Sequence, residues 1–70
     1  MTDQLPLAAV IRLIRSADPS FRVSESAGKA LREKLEEYGL KISTKAKEFS
    51  THANRKTITD SDIELAVKNQ

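Results

Sequence analysis

The sequence has no cysteine, no tryptophan and one histidine, and it spends only two glycines and two prolines over 70 residues. Each shortage removes a class of explanation. Without cysteine there is no disulfide framework and no thiol nucleophile. One histidine and no cysteine cannot supply the ligand set of a structural zinc site. Aromatic residues make up 4% of the chain, too few for a protein that stacks single-stranded bases on rings. The longest apolar run, LPLAAVI, is far shorter than a bilayer crossing and is followed at once by Arg12, so neither a membrane span nor a signal peptide is expected, and a cytoplasmic protein is. No glycine-rich phosphate loop, metal-ligand cluster or paired acid and base is evident. The chain is therefore expected to be no enzyme, with no cofactor, no metal and no small-molecule substrate.

A chain of this length forms one domain, residues 1–70, and a lone copy buries too little surface to be more than marginally stable. With disulfides and metal excluded, oligomerisation is the remaining source of core. Net charge is +2 with a pI near 9.2, a weak pointer to nucleic acid that depends on where the positive residues lie.

The strongest periodic signal runs through Ala27, Leu31, Leu35, Tyr38, Ile42, Ala46, Phe49 and Ala53, which follow one another in steps of three or four. This is one long amphipathic helix, from an N-cap at Ser24 with Glu25 in the first turn to a left-handed stop at Asn54. At 1.5 Å per residue it spans about 45 Å. The flanking segments are too short to cover such a stripe, so Leu31, Leu35, Tyr38, Ile42 and Ala46 are candidates for a core shared with a second chain. Gly28 and Gly39 interrupt the pattern, each at a cost of about 1 kcal/mol relative to alanine. Gly39 suits a close crossing of two long helices, whereas Gly28 has no account in the sequence.

A shorter helix precedes it, with Leu7, Val10, Ile11, Ile14 and Ala17 at helical spacing, Pro6 in its first turn and a turn at Asp18-Pro19-Ser20. Another follows it, opening on Thr59 with Asp62 three residues on, a carboxylate form of the capping box. Ile58 and Ile63 occupy staple positions around that cap, and Ala66 and Val67 continue the buried face. The plan is short helix, long helix, short helix.

That order, with LPLAAVIRLIR, RVSESA, LEEYG, HANRKTI and DIELAV in sequence from Leu5 to Val67, resembles the archaeal histones. The resemblance implies an all-α histone fold in which two chains clasp their long helices in a handshake dimer, as a homodimer or with a related histone as a heterodimer. It also implies that the loop containing Arg22 lies beside the Arg55-Lys56-Thr57-Ile58 loop of the other chain, both against duplex DNA. By that resemblance Arg12 and Arg22 approach inward-facing minor grooves, Arg15, Lys56 and Thr57 contact phosphate, and Arg55 pairs with Asp62 to hold its loop. Phe49, His52 and Asp62 would join dimers through a four-helix bundle, His52 bonding Asp62 of the neighbouring dimer. Taken without the family context, the basic loop reads as a solvated turn, the arginine pair as a solvated helix face and the histidine as a partner for the helix end.

The implied function is a chromosome-associated protein that bends and wraps double-stranded DNA with little sequence preference, in nucleosome-like particles. The alternatives are an architectural dimer that binds or bridges DNA without extended wrapping, and a histone-fold subunit whose partner is another protein. Archaeal histones often carry glycine in the first loop, where turns of a protein–DNA superhelix pass closely. Here Asp18-Pro19-Ser20-Phe21 is bulkier and one residue longer, so stacking into long fibres does not follow from the resemblance. Asn54 stands where glycine is common, a conservative change at a left-handed position. No histone tail is recognised, so regulation by tail modification is not expected.

Overall fold

In a computed structural model that describes residues 4–70, the chain forms three helices and, among the described residues, no strand. These are α1 (Leu7–Arg15), α2 (Glu25–His52) and α3 (Asp60–Lys68). None is long and apolar enough to cross a membrane. The chain divides into two compact units, Met1–Glu37 and Tyr38–Gln70, and α2 runs through both.

In the first unit, α1 starts after Pro6, whose extended backbone (φ −61°, ψ 124°) occupies the N-cap and whose carbonyl accepts from the Val10 N–H. It ends at Arg15, earlier than the apolar spacing through Ala17 suggests. The backbone tightens at that point, where the Ser16 and Ala17 N–H groups bond the Leu13 and Ile14 carbonyls three residues back, and the Ser16 hydroxyl bonds the Arg12 carbonyl. Proline at position 19 then disfavours helical backbone at Asp18. Val10 is buried, and Ile11, Ile14, Leu31 and Leu35 are partly buried. The N-cap of α2 is Ser24, whose Oγ accepts from the Ala27 N–H at 3.1 Å.

Gly28 now has an explanation. A Cβ built on it would lie 2.7 Å from Ile11 Cγ1 and 3.1 Å from Leu7 Cδ1, so α1 packs onto α2 at a spot where only a hydrogen atom fits. The helix-propensity cost of glycine is offset by that close approach. Gly39 has nothing within 4 Å of its Cβ direction, so its own chain makes no such demand there.

In the second unit, Ile42, Ala46 and Ala66 form the buried cluster, with Phe49 packed against it. Ile42 and Ala46, both assigned above to a shared core, thus find cover from α3 of their own chain, whereas Tyr38 on the same stripe stays 45% exposed. The C-terminal stop of α2 is left-handed as its residue type suggests, with Asn54 at φ 61°. The capping box of α3 is complete: Thr59 Oγ1 accepts from the Asp62 N–H, and the Asp62 carboxylate accepts from the Thr59 N–H at 2.9 Å. Ile58 and Ile63 flank it yet remain 45% and 37% exposed, so any staple between them leaves both open to a partner.

The Gly28 contact generates a test. Gly28→Val forces two branches into the Ile11 and Leu7 side chains and should destabilise the fold by about 1 to 3 kcal/mol, the usual cost of overpacking. Urea denaturation measures it, and a variant as stable as the parent would show that α1 does not pack this closely.

Candidate nucleic-acid interface

In the first unit, Arg12 and Arg15 are both exposed in the last turn of α1, where positive charge suits the helix dipole. With Ser16 and Pro19 they line an open cleft of about 360 Å³. The loop that follows is held by its own polar groups. Asp18 Oδ1 accepts from the Ser20 N–H at 3.0 Å and from the Ser20 hydroxyl at 2.7 Å, while the Phe21 N–H donates to the Asp18 carbonyl at 3.1 Å. The Ser20 hydroxyl, then its N–H, lowers the Asp18 pKa below the ordinary value. Arg22 is exposed immediately after this turn.

In the second unit, the connection from α2 to α3 is pinned by three side chains. Arg55 makes a two-pronged contact with Asp62, Nη1 to Oδ2 and Nη2 to Oδ1, each 3.0 Å, and Nη1 also donates to the Thr57 carbonyl at 3.0 Å. Asp62 Oδ2 further accepts from the Thr59 N–H and hydroxyl. The third side chain is Ser50, 2% exposed, whose hydroxyl lies 3.1 Å from the Arg55 carbonyl and 2.8 Å from the Thr57 carbonyl. The Arg55 N–H returns to the Ser50 carbonyl at 3.0 Å. Loop, end of α2 and start of α3 are thereby tied in one network.

The electrostatics follow from this geometry. The Arg55 guanidinium, then the Thr59 N–H, holds the Asp62 carboxyl well below the usual carboxylate range, and Asp62 raises the Arg55 pKa in return. Lys56 and Thr57 take a different part. Both are exposed, and among the described residues neither backbone N–H has a hydrogen-bond partner, so the loop presents free donors beside a free ammonium. The ion pairs among the described residues are Lys29–Glu25, Lys34–Glu37 and Arg55–Asp62, which leaves Arg12, Arg15, Arg22 and Lys56 without a carboxylate partner there.

The residues assigned to contacts between dimers stand less openly. His52 is exposed at the end of α2, and its Nδ1 lies 2.8 Å from the Glu48 carbonyl. A carbonyl only accepts, so Nδ1 carries the proton and Nε2 is left for other contacts. Phe49 is partly buried against its own core. Asp62 is 4% exposed, and of its two oxygens only Oδ1, with a single Arg55 bond, retains capacity for another donor.

Ser50 is the contributor that pattern reading overlooks. It lies four residues after Ala46, on the buried side of α2, and a serine at such a position signals a hydroxyl with a backbone duty.

The family described as histone-like transcription factor (CBF/NF-Y) and archaeal histone matches residues 3–67. The chain belongs to this family. Among curated relatives, it is 54% identical over 65 residues to a subunit of the archaeal histone HAN1 from Thermococcus zilligii, covering 93% of this chain and 96% of the relative. It is 40% identical over 65 residues, with the same coverage, to probable archaeal histone 3 of Methanocaldococcus jannaschii. The three helices are thus a histone fold, which assembles by the handshake of two chains, and the histone-like chain is a DNA-binding protein of the archaeal type.

Two expectations arise from the loop network. A carboxyl whose folded pKa lies below its unfolded value of about 4 contributes stability that is fully present above that value and is lost as pH falls through the folded one. The thermal midpoint should therefore decline as pH is lowered below about 4, and Asp62→Asn should start lower at neutral pH and decline less over the same range. Parallel curves for the two proteins would contradict the network. Separately, Ser50→Ala leaves the Arg55 carbonyl without that donor and the Thr57 carbonyl with Arg55 Nη1 alone, and should cost about 1 to 3 kcal/mol in chemical denaturation; no loss would show that the hydroxyl is not holding the loop.

Proposed function

We propose that this histone, a single domain over residues 1–70, bends and wraps double-stranded DNA as a dimer, largely without sequence preference, and that dimers join along the DNA into nucleosome-like particles. It would act as a chromosome-associated cytoplasmic protein and not as an enzyme. The observation that carries this reading is the division of labour in the two loops. Asp18 and Asp62 are consumed in fixing backbone, while Arg12, Arg15, Arg22, Lys56 and the free N–H groups near Thr57 are left for phosphate and groove.

In this reading Lys56, Thr57 and Arg15 contact phosphate oxygens, and Arg12 and Arg22 approach the minor groove where its negative potential is strongest. None of these groups needs a base code, so preference follows how easily a sequence bends. Arg55 serves DNA indirectly, by fixing the loop from behind through Asp62. Relatives named as histones, one of them as part of a histone with subunits, favour both a homodimer and a heterodimer with a related chain.

Phe49, His52 and Asp62 are the candidates for the junction between dimers. The near-complete cover of Asp62 favours a second reading, in which His52 of a neighbouring dimer cannot reach a strong partner and DNA is bound by isolated dimers.

Nuclease digestion of long duplex DNA coated with the protein separates the two. Joined dimers should protect a regular ladder of increasing fragment lengths, and Phe49→Ala or His52→Ala should shorten it without unfolding the dimer. One short protected fragment, identical in parent and variants, would establish the isolated dimer instead. Affinity should also fall steeply with salt, because neutralised phosphates release counterions; a flat salt response would overturn the phosphate contacts.

A further inference from the structure

Phe21 is 67% exposed, on the same loop that presents Arg22. An aromatic ring left that far in water gains nothing for its own chain, yet its backbone is fixed on both sides. Before it, Pro19 restricts φ, Ser20 is bound twice to Asp18, and the Phe21 N–H closes the turn on the Asp18 carbonyl. After it, Val23 is partly buried and Ser24 caps α2. Pro19, two residues earlier, lines the cleft shared with the Arg12 and Arg15 guanidinium groups. An exposed apolar ring on a fixed backbone is therefore set in a surface whose neighbouring side chains are cationic.

We infer that Phe21 is an apolar wedge that enters the minor groove beside Arg22 and partly unstacks a base step. This rests on the reading above that the α1 and first-loop surface faces DNA, and it adds to it a residue that acts by shape, not charge. Charge complementarity selects the occupant: the four cationic or apolar groups concerned, Arg12, Arg15, Arg22 and Phe21, match a polyanion whose grooves accept apolar side chains between base pairs. A protein surface without carboxylates would have to bury the same guanidinium groups unpaired. Pyrimidine–purine steps are the easiest to open, so the wedge gives a protein without base contacts a preference for flexible sequence.

The test uses the dimer on short duplexes that accommodate one dimer, one set with a central TA step and one with a stiff A-tract, and reads both bend angle and affinity against salt. The parent should bend the TA duplex more and bind it more tightly. Phe21→Ala should lose about fivefold of that preference and part of the bend, with an unchanged salt slope because no charge is removed, while Phe21→Leu should retain both. If Phe21→Ala bends and discriminates like the parent, the wedge is overturned, including the case in which it alters only assemblies on long DNA. Arg22→Ala identifies the source of a failure. Weakened binding there with an inert Phe21 removes the wedge alone, whereas unweakened binding removes the DNA-facing reading and the wedge with it.

Discussion

The structure depends on an apolar stripe that its own chain is too short to cover. Helix α2 has 28 residues, about 42 Å at 1.5 Å per residue, and the helices on either side of it have nine each. Among the described residues only Val10, Ile42, Ala46 and Ala66 are buried apolar side chains, while Tyr38, Ile58, Ile63, Leu65 and Val67 all remain at least 37% exposed. A core of that size cannot offset the conformational entropy of ordering 70 residues. The handshake of the histone fold supplies the missing cover, so pairing contributes to the stability of each chain.

The loops show how a nearly neutral protein makes a polyanion-binding surface. In each, an acid is spent internally. Asp18 bonds Ser20 and the turn to Phe21, and Asp62 takes Arg55 and the start of α3. On α2, Glu25 and Glu37 engage Lys29 and Lys34, and Glu36 accepts from the Leu5 N–H. What remains unpaired in the loops is positive. Backbone held in place before binding also lowers the entropy lost when DNA arrives, so a net charge of +2 is enough where its distribution is this uneven.

Much of this was legible in the residues. Helical spacing located all three helices, and the caps at Ser24, Thr59 and Asn54 marked their ends because each cap is a local event between near neighbours. The match of the sequence to the archaeal histones pointed to the fold and to DNA. Tertiary contacts were not legible in the same way. Gly28 looked like a defect because the side chains it admits, Leu7 and Ile11, come from another helix. Ser50 was invisible because its two carbonyl partners lie five and seven residues on, across a turn whose path periodicity does not define. Spacing placed Ile42 and Ala46 on a buried stripe without showing that Ala66 of α3 packs there too, since a helical stripe records burial but not the identity of what buries it.

The most direct test is sedimentation equilibrium combined with helical circular dichroism over a range of protein concentrations. Coupled folding and pairing predicts a mass twice the 7.8 kDa of one chain wherever helix is present, and a melting temperature that rises with concentration. A helical, cooperatively melting species of single-chain mass at micromolar concentration would contradict the account at its foundation.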